Sequence, residues 1–166
     1  MNGSLPALTV LAAVLATVVP WGLPANATLI PPLIVMMMIF CWRALPGTAF
    51  PSYLALLLGL LLDILSGGPL GFWALMALVA ANAGARAPSP GDSQDRYRLW
   101  LLWAGVAATV GAAGWLLGSL YALRLIDAWP IALGICVSIL LFPPVLRAIV
   151  WLKRGRLKLK PFRGLT

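Results

Sequence analysis

Six apolar runs limit what this chain can fold into more than any other feature. They cover about residues 5–23, 29–44, 50–65, 70–85, 99–123 and 128–152, with breakers or charges between them. Hydrophobic residues make up 62% of the 166, charged residues only 10%, and mean hydropathy is +0.98. A soluble domain averages about 25% charged residues, and no water-soluble core of this size hides so much apolar surface. Lipid is therefore the expected solvent. Long unbroken runs suit helices, whereas a membrane barrel needs short alternating segments. The predicted fold is all-α, a polytopic integral membrane protein with six transmembrane helices in a single bundle over 1–152 and a basic tail over 153–166.

Residues 48–85 hold 38 positions, too many for one crossing of about 20 residues and enough for two short ones joined at Gly67-Gly68-Pro69. With both termini in the cytoplasm, 11 of the 12 Lys and Arg residues fall inside and only Arg124 outside, the bias of the positive-inside rule. A five-span reading leaves 10 of 12 inside, so length rather than charge favours six. Ala25-Asn26-Ala27 has the small-x-small spacing of a signal cleavage site. The absence of Lys or Arg from the first 20 residues instead favours a retained helix. Trp21, Trp42, Trp100, Trp103, Trp129 and Trp151 lie near the predicted helix ends, an interfacial placement, and residues 86–98 read as a surface loop.

The net charge of +8 would point to nucleic acid in a soluble protein. Here half of the basic residues crowd the last 14 positions, which reads as a membrane-surface segment. Lys153, Arg154, Arg156, Lys158 and Lys160 are expected to meet anionic head groups, anchor topology or dock a cytoplasmic partner. There is no histidine, and Cys41 and Cys136 both sit in apolar runs, so neither metal nor cofactor is expected. No phosphate-binding loop, paired carboxylates or Ser–His pair appears, and no enzyme activity is expected. Small residues recur at Gly111, Gly114 and Gly118, and at Ala77, Ala81 and Ala85. Such spacing serves helix packing within the chain or against a partner's helix. Met36-Met37-Met38 reads as lipid-facing or gap-filling, and Pro143-Pro144 as a kink.

Asp63 is the one carboxylate inside an apolar run, costly at membrane depth and a functional candidate for that reason. It precedes the Ser66-Gly67-Gly68-Pro69 breaker at the end of the third run, near the outer interface. There it would bond its own turn, a neighbouring chain, or Arg124 across the bundle; a second acid for a proton relay is lacking.

The stretch Gly59-Leu-Leu-Leu-Asp63-Ile-Leu-Ser-Gly67-Gly68-Pro69-Leu-Gly71, followed by Phe-Trp-Ala-Leu, resembles the signature of the MreD family, bacterial rod-shape-determining inner-membrane proteins. The early Pro20-Trp21, the length and the basic end fit the same resemblance, which is sharp over 59–75 and rests on hydropathy elsewhere. It implies a non-enzymatic scaffold of the cell-elongation (rod) complex, supporting cell shape and lateral peptidoglycan synthesis. The implied partners are MreC directly, and indirectly MreB and the elongation-specific peptidoglycan polymerase and transpeptidase. What carries over is the corner Asp63, Gly67, Gly68, Pro69 and Gly71, as a docking or structural element. Small six-helix chains also resemble substrate-capture subunits of vitamin-type transporters, which need polar groups facing outward. Only Asp63, Ser66 and Tyr121 are available here, which argues against capture. A pore-forming or lysis protein would not need the hairpin.

Overall fold

The computed structural model describes residues 4–19, 30–67, 69–89 and 91–158, with the side chains of 122 and 156–158 outside that description. Pro20, Trp21, Ala25 to Ala27, Gly68 and Lys160 also lie outside the described residues. Among those described there are six α-helices and no strand: α1 Ser4–Ala16, α2 Ile30–Ala44, α3 Ser52–Ser66, α4 Phe72–Arg86, α5 Ser93–Ala122 and α6 Trp129–Lys158. α5 and α6 are long and apolar enough to cross a membrane. The four others have 13–15 residues, about 22 Å at most, against a hydrocarbon core of about 30 Å.

α2 is the centre of the molecule. Up to Arg43 it is apolar on every side, as expected of an enclosed helix, and it packs against α1, α4, α5 and α6. Leu33, Val35, Met36, Met37, Ile39, Phe40, Cys41 and Trp42 are all buried. The methionines therefore fill packing gaps, the flexible thioether's usual service, and Met36 and Met37 do not reach lipid. Pro31 and Pro32 sit in the first turn, where their missing N–H groups are no loss. Phe40 of α2 meets Trp103 of α5 at 5.5 Å and Phe142 of α6 at 6.0 Å, and those two rings stack at 6.2 Å. This cluster fastens the α5–α6 hairpin to α2.

The helices alternate in direction. Trp42 Nε1 donates to Thr9 Oγ1 (2.9 Å), tying the end of α2 to the first half of α1. Arg43 NH1 donates to the Phe50 carbonyl just before α3 (2.7 Å), and Nε to Ala81 in α4 (3.3 Å). Lys153, late in α6, donates to the Pro46 carbonyl. The start of α1 and the end of α6 therefore share one end of the bundle, here the basic end.

Two expectations change. Trp42 and Trp103 are fully buried, so they belong to the core and not to an interfacial belt. Trp129 and Trp151 are exposed. The interval 86–98 is not loop throughout, because α5 begins at Ser93, following Asp92 in extended conformation. Residues 93–98 are mostly polar, and all but half-buried Asp95 are exposed, so apolar patterning could not announce their helix.

Candidate functional site

Asp63 stands one turn from the end of α3, only 1% exposed. Its Oδ1 accepts from Trp73 N (2.8 Å), and its Oδ2 from Gly71 N (3.0 Å) and Ala74 N (3.1 Å). Phe72 N donates to the Pro69 carbonyl at 3.3 Å. Every N–H from Gly71 to Ala74 thus has a partner. The opening N–H groups of a helix have none of their own, and in lipid each unsatisfied one costs several kcal/mol. Gly71 has no side chain to cap α4, so a carboxylate on the preceding helix caps it from outside. The negative charge also faces the positive pole of the α4 dipole.

The surrounding glycines make this reach possible. Gly67 ends α3 at φ +66° and sends its N–H to the Asp63 carbonyl (3.2 Å), and Gly71 begins α4 at φ +96°. Both conformations favour glycine. Gly59 lies one turn before Asp63 on the same face. A Cβ there would stand 2.6 Å from Ala74 Cα and 2.7 Å from the Trp73 carbonyl oxygen, both backbone atoms that cannot swing aside. Gly59 brings α3 against the first turn of α4, and Asp63 binds that turn.

The later half of α4 is held by a cation from α2. The Arg43 guanidinium bonds the Ala81 carbonyl, five residues before the end of α4. A Cβ at Gly84 would meet the Phe40 carbonyl oxygen at 2.5 Å. An acid grips the start of α4 and a base grips its later half, each beside a glycine contact.

The structure does not pair Asp63 with Arg124. The Asp63 oxygens are taken by α4, while Arg124 is exposed in the α5–α6 connection, and among the described residues no ion pair joins the two. Spacing alone could not separate a cation from backbone N–H groups as the carboxylate's partner. Gly111 leaves room for the Ile135 side chain of α6, which a Cβ there would strike, while Gly118 faces Ile126 and Gly114 faces Phe72. These three therefore make contacts inside the chain. Arg154 is exposed, whereas Lys153 bends back to Pro46. The corner's own surface consists of Ile64, Leu65, Ser66, Gly67, Pro69 and Leu70, all exposed.

Nothing in the sequence signals that Trp100 and Trp103 bond α6 just before its prolines. Pro143 cannot donate to Ile139, the carbonyl one turn earlier. Trp100 Nε1 supplies that bond at 3.1 Å, and one turn along Trp103 Nε1 donates to Ser138 Oγ at 3.2 Å.

These features define an all-α protein with two helices long and apolar enough to cross a membrane and a carboxylate-capped helical hairpin. Comparison with protein-family models, curated proteins and solved structures finds no match.

Proposed function

We propose that this chain is a multi-pass protein of the bacterial inner membrane, with six spans and both termini in the cytoplasm. In this reading it is a non-enzymatic scaffold of the MreD kind in the cell-elongation complex, binding MreC. The observation that carries the reading is the clasp. The residues of the MreD-like stretch, Gly59, Asp63, Gly67 and Gly71, form one device that fixes the angle of a membrane hairpin. Asp63 is fully engaged inside the chain, so its role is to present the exposed edge, Ile64, Pro69 and Leu70, to a partner. The clustering of Arg43, Arg86, Lys153 and Arg154 at one end of the bundle supports the proposed orientation.

The transporter alternative finds little support at the Asp63 end. The cavity there is about 10 Å³ and lined by Leu33, Trp73, Val110, Gly111, Gly114 and Ile131, with no polar side chain to orient a solute.

Depletion in a rod-shaped host, scored by cell width, with affinity capture of the tagged chain, tests the proposal. Rounded cells and co-purification of MreC are expected, with capture weakened by Leu70→Lys. Unchanged shape, or a vitamin requirement in place of rounding, would overturn it.

A further inference from the structure

Arg43 has more binding capacity than its structural bonds use. A guanidinium carries five N–H donors, and the bonds to Phe50 and Ala81 engage Nε and NH1. Among the described residues no carboxylate pairs with it. The side chain is half-buried and lines a cleft of about 470 Å³ at the basic end, with Thr48, Ala49, Phe50, Pro51, Tyr53 and Leu54. A second cation, Lys153, borders the same connection through its bond to Pro46. An unpaired, partly desolvated cation in such a cleft favours an anion, and the planar guanidinium suits phosphate oxygens.

The surface leading away from the cleft is apolar. Tyr53, Leu57, Leu60 and Ile64 recur along one face of α3 and are exposed by 67%, 56%, 40% and 62%, and Tyr53 also lines the cleft. A charged pocket continuing into a greasy stripe matches an amphiphile, with its phosphate at Arg43 and an acyl chain along α3. We propose that this cleft is a binding site for the headgroup of an anionic phospholipid of the leaflet facing the basic end, distinct from the polybasic tail. Basic pockets between membrane helices take such headgroups. The inference rests on the membrane part of the proposed function and not on its partner. Retention of the wild-type chain in alkaline-washed membranes reports that part separately.

The test uses the full chain purified in non-ionic detergent. Native mass spectrometry counts retained phosphatidylglycerol against phosphatidylcholine of the same acyl length. The wild type is expected to prefer phosphatidylglycerol by about fivefold or more, the share of one basic residue at an anionic surface. Arg43→Gln and Ala49→Phe should each bring the ratio close to one. Ala49 is exposed, so Ala49→Phe fills the cleft without touching the bonds of Arg43, and it decides the matter if Arg43→Gln fails to fold. Equal retention of the two lipids, or an undiminished preference in Ala49→Phe, would overturn the site. Displacement of the lipid by millimolar inorganic phosphate would make the ligand a free phosphate, and the lipid assignment would fall.

Discussion

Asp63 shows why an acid in an apolar run need not be a reaction centre. Its cost is offset by three N–H groups that would otherwise lack partners, so carboxylate and helix end satisfy each other. Hydrogen bonds to a charged group contribute more than neutral ones. Asp63→Ala should therefore lower stability by about 3 kcal/mol, read as a drop in the thermal midpoint in detergent, and Asp63→Asn by less, because one amide oxygen still accepts. Gly59→Ala should cost a similar amount, because its methyl group would push α3 off the backbone of Ala74 and pull the carboxylate from its donors. The two losses should not add. The double variant should fall short of the sum by about 1 kcal/mol or more. Strict additivity would mean that the glycine contact and the cap act independently.

At the scale of elements, α6 carries two prolines inside one continuous helix, and a neighbour supplies a bond that they remove. Pro143 leaves the Ile139 carbonyl without its helical donor, and the Trp100 indole of α5 replaces it. The proline site and the α5–α6 contact are thus one feature. Trp100→Phe should cost about 1–2 kcal/mol, the penalty of an unsatisfied carbonyl. In a Pro143→Ala background, residue 143 regains an N–H and the cost of Trp100→Phe should shrink by about 1 kcal/mol. Equal costs in the two backgrounds would show that the indole packs without serving the carbonyl. α4 illustrates the same dependence on neighbours, since its first turn and the Ala81 carbonyl are bonded by charged side chains of other helices.

For the whole molecule, alternation of six helices puts residue 91, the start of α1 and the end of α6 opposite the α5–α6 connection. Thiol labelling can check this in cells, in a Cys136→Ser background, because Cys41 is buried. Leu125→Cys, at a position 81% exposed, should react with a membrane-impermeant maleimide on cells whose outer barrier is opened. On the proposed inner-membrane, six-span topology, Gly91→Cys should react only after that membrane is permeabilised. Labelling of both from the same side would rule out the six-span arrangement.

The helical class was legible in the sequence, because apolar runs and glycine–proline breakers act locally. Several helix ends were not: α1 stops at Ala16, α5 starts at Ser93 and α6 runs to Lys158. The corner at 59–71 was also legible as a turn, and its glycines could be named. The partner of Asp63 was not. Arg124 matched it in charge, but the donors belong to the backbone of α4, and backbone carries no letter in a sequence. The central place of α2 was equally hidden, since a helix apolar on all sides looks alike whether it faces lipid or protein. Trp42 and Trp103 looked interfacial by position, yet Thr9 and Ser138 give their indoles partners inside the bundle. Composition and periodicity by themselves determined that this chain is helical and suited to lipid. Tertiary structure alone decided which charges hold which helix ends, because those bonds join residues from different helices to atoms that every residue shares.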